Sequence, residues 1–282
     1  MNNPNDDQAA RRAYWIEQME AAHDFMSRVL DYPVQECGEP LVSLPAASAA
    51  AGVEVAFSES LMAGRHPRLF YLREGLIPAF VGAAGALNAR GWTLKVEDGY
   101  RSRAMQRDGA LQPRVLDVVL QKVIWETGGQ VPTPELLFRR LSVLAATRPK
   151  QGTHMSGSAM DVSVLWSHDH TEVDRGGPYI ELSELTPMGS PFISAEAAGN
   201  RTEITAIMRR HGFVTYPYEF WHYCKGDAYE EYLTQSGRPA RYGAVDFEPA
   251  TGRITPIPNP RDSLHSLEDI QRQIVTALER LK

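Results

Sequence analysis

His154 and Asp161 stand seven positions apart with mostly small residues between them, in Gly152-Thr153-His154-Met155-Ser156-Gly157-Ser158-Ala159-Met160-Asp161. A neutral imidazole nitrogen and a carboxylate oxygen are donors that zinc accepts at about 2.0–2.2 Å, so the pair is half of a tetrahedral site. Fifty-eight residues after Asp161 comes Glu219, in Tyr218-Glu219-Phe220-Trp221-His222-Tyr223-Cys224. With His222 as third ligand the ion keeps one open position, the catalytic rather than the structural arrangement. Water held there has its pKa lowered from about 15.7 towards 7. Glu219 is the carboxylate placed to take its proton.

These side chains need rigid supports. Met160 to Leu165 is short, largely apolar and partly β-branched, which predicts a buried strand with Asp161 at its start. His154 falls on a turn that Gly157 permits. The aromatic run 218–224 predicts a second strand. Glu219 and His222 are three apart, so a regular strand would aim them at opposite faces. A bulge is therefore expected, or Glu219 lies on the turn after Pro217.

The set His154-x-x-Gly157-x-Ala159-x-Asp161 and Glu219-x-Trp221-His222 resembles the signature of zinc D-alanyl-D-alanine peptidases, most closely the VanX-type dipeptidases. Two upstream runs fit the same pattern, Asp98-Gly99-Tyr100-Arg101 and Phe70-Tyr71-Leu72-Arg73-Glu74-Gly75. The matches keep family order over roughly residues 65–250. The resemblance implies an α+β fold with a small, mostly antiparallel central sheet flanked by helices, as in the hedgehog and D,D-peptidase domains. It implies one zinc ion on His154, Asp161 and His222, Glu219 as catalytic base, and Arg101 as the donor that steadies the tetrahedral intermediate.

The rest of the chain frames this core. At 282 residues it allows one domain with extensions. Net charge is −6, and residues 1–60 carry ten acids against three bases. The acidity thus belongs to an N-terminal arm, and no basic stripe argues for nucleic acid. The first 30 residues lack an uninterrupted apolar run, so neither a secretory signal nor a membrane span is expected, and a cytoplasmic protein is. Two cysteines, Cys37 and Cys224, do not make a disulfide scaffold. We expect an acidic helical extension over 1–60 packed on the domain, a zinc peptidase domain over 61–255, and a C-terminal helix in 256–282.

Residues 8–30 have a helical apolar period, and the Pro- and Ala-rich stretch 38–52 reads as a connecting loop. A helix over 76–90, a core strand over 93–97, a long helix over 102–127 broken near Pro113, and another over 134–146 follow. The irregular segment 169–199 lies between the two ligand-bearing strands and is expected to wall the active site. His168 and His170 within it read as exposed loop residues. Helix 196–210, a strand from Phe213 and a strand over 241–247 precede the last helix. That helix turns Ile270, Ile274, Leu278 and Leu281 to one side, to meet the domain or a second copy in a homo-oligomer.

Departures from the dipeptidase pattern concern the substrate. The family commonly has serine two residues before its first histidine ligand and an aspartate after its Met-Gly-Ser-Pro-Phe-like run, and both hold the substrate ammonium. Here these positions are Gly152 and Ile193, leaving Thr153, Ser190 and Trp221 as candidate substrate contacts. An uncompensated buried ammonium is costly. The sequence therefore predicts a zinc metallopeptidase acting on a dipeptide, small peptide or acylated amino acid, linked to D-amino acids and peptidoglycan, with altered preference. The alternative is a catalytically silent zinc module that recognises a peptide or cell-wall fragment.

Overall fold

Alternation of apolar and polar side chains along residues 92–98 and 159–166 gives two strands with one face for a core and one for a site. The computed structural model describes residues 4–282. In order they form α1 (Pro4–Asp31), β1 (Leu41–Ser43), α2 (Leu44–Ala51), β2 (Val55–Phe57), β3 (Tyr71–Arg73), α3 (Ile77–Ala89) and β4 (Trp92–Asp98). Then come α4 (Arg103–Leu111), α5 (Pro113–Glu126), α6 (Pro134–Leu144), β5 (Ala159–Trp166), α7 (Ala195–Arg210), β6 (Val214–Thr215) and β7 (His222–Cys224). The chain ends with α8 (Ala228–Leu233), β8 (Val245–Glu248), β9 (Arg253–Pro256) and α9 (Leu267–Arg280).

The central sheet runs β2-β4-β5-β7-β6. The β2–β4 pair is parallel and the other three pairs are antiparallel, so the fold is α+β with a mostly antiparallel sheet. Leu94 and Val96 of β4, with Met160, Val162 and Val164 of β5, join Phe80, Ala83, Ala84 and Leu87 of α3 and Ile204, Ile207 and Met208 of α7 in one buried cluster. A second cluster joins α1, α5, α6 and α9 with Phe220 and Trp221. Trp15 and Met19 of α1 and Ile270 and Ile274 of α9 are buried within it. The apolar side of α9 is therefore turned onto α5 and α6 of its own chain.

Two expectations need correction. Residues 38–52 are not a loop: β1 and α2 occupy most of them. The Ser43 side chain caps α2, its proline sits in the first turn, and Gly52 closes it with φ 65°, so the alanines between are helical. The break expected near Pro113 does divide the 102–127 stretch into α4 and α5, because Gln112 is extended ahead of the proline. The last strand is half of a hairpin, β8–β9, and α8 was not anticipated. No helix among the described residues is long and apolar enough to cross a membrane.

Candidate metal centre and active-site cavity

Strand register brings the chemistry together. Asp161 pairs directly with His222 across β5–β7, and with Asp98 across β4–β5 at a bulge that follows Val96. Facing residues on neighbouring strands hold their Cβ atoms about 4.5–5.5 Å apart, close enough to share one ligand. His154 arrives from a one-turn 3-10 helix, Thr153–Ser156, closed by Gly157 at φ 68°. The left-handed backbone there favours glycine, and a Cβ would also press on the Leu41 side chain at 2.8 Å.

Arg73 anchors that turn. Its side chain is fully buried and donates to the carbonyls of Ser156 and Glu39, each at 2.6 Å, and to Glu36. Its backbone N–H donates to Gly157. Removing one partner of such a buried pair typically costs about 3–5 kcal/mol, so the Tyr71-Leu72-Arg73 run acts on the site through its scaffold.

One potential ligand atom from each of His154, Asp161 and His222 lies within 4.8 Å of the others, and all three residues are buried. Asp161 Oδ1 is 3.1 Å from His154 Nε2 and 3.0 Å from His222 Nδ1. The remaining ring nitrogens have partners of their own. His154 Nδ1 is 2.7 Å from the Gly99 carbonyl, which fixes it as the protonated nitrogen and frees Nε2. His222 Nε2 is 2.9 Å from Thr153 Oγ1, which leaves Nδ1 facing Asp161. Burial pushes the His222 pKa down and favours the neutral ring, the form that ligates. Two oriented imidazoles and a carboxylate fit a divalent ion with nitrogen and oxygen preference, and no fourth protein ligand joins the group among the described residues.

Two carboxylates there have opposite electrostatics. Burial opposes the Asp161 charge, but His154, His222 and Arg101 hold its pKa well below the usual range. Glu219 goes the other way: burial and the nearby Asp161 charge raise it well above the usual range, against a smaller pull from Arg101. Glu219 sits on the turn before β7, its N–H donating to Tyr216 and its carbonyl accepting from His222. That geometry resolves the three-residue spacing.

Arg101 follows Asp98-Gly99-Tyr100 at the end of β4. Its Nε donates to Asp98 and its Nη2 to Asp161 Oδ2, both at 2.7 Å. Gly99 is needed beneath it, since a Cβ would lie 2.8 Å from the Leu69 carbonyl. All these groups open on one cavity of about 590 Å³ between the sheet and helices α4, α5 and α6.

The cavity includes Thr153 and Trp221 but not Ser190. Ser190 lies outside it, with its hydroxyl donating to the Glu184 carbonyl at 2.7 Å. Thr153 uses its hydroxyl on His222. Ile193 is packed against Gly176, outside the cavity. The segment after β5 does supply wall residues, Glu172, Tyr179, Ile180 and Leu182. His168 and His170 are exposed, and Cys224 is buried beside Asp227. Sequence reasoning missed Tyr179, whose hydroxyl donates to Asp161 Oδ2 at 3.1 Å. An isolated tyrosine in an irregular segment has no spacing to announce it.

Three convergent ligand-type side chains beside a cavity that also contains a perturbed glutamate are the arrangement of a metal-dependent hydrolase. The family model described as "D-ala-D-ala dipeptidase" matches residues 65–237. That is more than half of the chain, which therefore belongs to this peptidase family and is a metallopeptidase. A curated relative, a D-alanyl-D-alanine dipeptidase from Synechocystis sp., is 26% identical over 246 residues, 77% of this chain and 96% of its own. The solved LdcB LD-carboxypeptidase aligns over 73% of this chain and 77% of its own at 18% identity and a TM-score of 0.37. A vancomycin resistance D,D-pentapeptidase VanY variant in complex with Zn(II) aligns over 76% and 97%, at 17% identity and a TM-score of 0.36.

Proposed function

We propose that this chain is a one-zinc peptidase that hydrolyses an amide bond in a small peptide containing D-amino acids, of the kind found in peptidoglycan. The observation that carries the reading is the approach of His154, Asp161 and His222 to within 4.8 Å, on the wall of the cavity that Glu219 also lines. His154, Asp161 and His222 would hold the zinc ion, which would supply Lewis acidity to the scissile carbonyl and lower the pKa of the attacking water. The other roles belong to side chains. Glu219 takes the proton of the attacking water and returns it to the leaving amine. Its raised pKa favours returning that proton, and the charge of a bound divalent ion would favour the ionised form that takes it. Arg101 has Nε and Nη2 engaged by Asp98 and Asp161, which leaves Nη1 to donate to the oxygen that gains negative charge. Trp221 packs edge-on to Tyr179 and gives the cavity an aromatic wall.

The preferred substrate, in this reading, is not free D-alanyl-D-alanine but an N-blocked or longer relative. Gly152 and Ile193 offer no hydroxyl or carboxylate for an ammonium. Of the other acids that line the cavity, Glu97 and Glu172 are already paired with Lys95 at 2.8 Å and Arg175 at 3.2 Å, and Glu59 is solvent-exposed, where a carboxylate replaces little of a buried ammonium's hydration. A cavity of about 590 Å³ is in the range that encloses a drug-sized ligand, well beyond a bare dipeptide. The test is a kinetic comparison of D-Ala-D-Ala with N-acetyl-D-Ala-D-Ala on zinc-loaded protein. Higher kcat/KM for the acetylated substrate is expected, and faster turnover of the free dipeptide refutes the preference.

A further inference from the structure

The two oxygens of Asp161 are treated differently. Oδ1 faces both imidazoles, at 3.1 and 3.0 Å. Oδ2 points away and accepts two hydrogen bonds, from Arg101 Nη2 at 2.7 Å and from the Tyr179 hydroxyl at 3.1 Å. A carboxylate clamped on one oxygen cannot rotate to offer both, so only Oδ1 is presented towards the histidines. Arg101 is a poor sole clamp, because its guanidinium is shared with Asp98 and lies on the substrate cavity. Tyr179 has no competing acceptor among the described residues: its hydroxyl touches only Asp161 and, at 3.5 Å, Arg101. Its ring is set by an edge-on contact with Trp221, at 5.8 Å and 88°.

We infer that Tyr179 is a positioning residue: its hydroxyl fixes the Oδ2 side of Asp161 so that Oδ1 alone faces the ion, and it ties the irregular segment between β5 and α7 to the site. The inference rests on the zinc reading above. It assigns that segment a role in metal retention, beyond walling the cavity. Groups that orient a metal ligand from behind are typically worth about 10–100-fold in metal affinity or activity.

Two variants separate the hydroxyl from the ring. Tyr179→Phe removes only the hydroxyl, and Tyr179→Ala removes both. Zinc affinity is measured by competition with a chromophoric chelator, beside kcat and KM at saturating zinc and the melting temperature of zinc-free protein. Tyr179→Phe is expected to weaken zinc binding by about 10–100-fold and to lower kcat with KM little changed. Its zinc-free melting temperature should match wild type, and Tyr179→Ala should add little further loss of zinc. Wild-type zinc affinity in Tyr179→Phe, with loss only in Tyr179→Ala, overturns the inference and leaves a packing role. A loss of zinc affinity in Tyr179→Phe matched by an equal loss of zinc-free stability also overturns it. Wild-type protein that takes up no zinc would instead overturn the zinc reading, a result independent of either variant.

Discussion

The start of strand β5 and the turn before β7 each bring one carboxylate to the same cavity, and the two sites treat it in opposite ways. Asp161 at the strand has a partner for each oxygen and a strongly lowered pKa. Glu219 at the turn is equally buried, has no side-chain hydrogen bond among the described residues, and has a strongly raised pKa. Environments that push two neighbouring acids apart assign them different work. A satisfied, ionised carboxylate is built to hold a cation. A carboxylate with no fixed partner is built to exchange a proton. In the proposed function the rigid strand supplies the first and the irregular turn the second.

The most severe break of this contrast is Asp161→Ala. It is expected to abolish both zinc retention, read by metal analysis, and turnover. Glu219→Gln should instead keep one zinc per chain and lower kcat by about 10²–10⁴-fold. If the two variants lose zinc alike, the division of labour between them is wrong. Arg101→Ala comes next, with a loss of about 10²–10³ in kcat, the usual cost of removing one oxyanion donor.

A smaller effect sharpens the same comparison through stability. A group whose pKa is raised on folding stabilises the fold below its unfolded pKa, and that contribution is lost as pH rises through the folded value. Zinc-free wild type should therefore lose stability relative to Glu219→Gln as pH rises from 5 to 8. Thermal melts at the two pH values read the difference, at about 2–4 °C per kcal/mol for a chain of roughly this size.

The smallest change expected is Gly152→Ser. A Cβ at Gly152 meets only ordinary contacts, the nearest at 3.6 Å, and its φ of −86° suits any residue. The variant should fold normally and shift the ratio of kcat/KM for free over acetylated dipeptide upward by a few-fold, on the scale of about 1 kcal/mol for a typical hydrogen bond. An unchanged ratio would remove Gly152 from the account of specificity.

The part of the fold that brings His154, Asp161 and His222 together was legible in the sequence because its signals are local. Ala159 to Trp166 combines apolar side chains with β-branching, Gly157 marks the turn, and Pro217 marks the entry of Glu219. What was not legible depends on distant packing. The alanines of α2 read as a linker because their cap at Ser43 was not weighed against the prolines. Ser190 resembled a substrate contact by its neighbours, yet its hydroxyl is spent on Glu184. Arg73 was noticed as part of a run, but its hold on the Thr153–Ser156 turn spans more than eighty residues. Tyr179 reaches Asp161 from a segment with no periodicity, which only three-dimensional structure can reveal.

The central claim concerns which atoms hold the ion, and anomalous diffraction at the zinc edge from zinc-loaded crystals tests it most directly. The account predicts a single peak about 2.0–2.2 Å from His154 Nε2, Asp161 Oδ1 and His222 Nδ1, with Glu219 nearby but outside bonding distance. A peak elsewhere in the chain, or one with Glu219 bound as a fourth protein ligand, would contradict it.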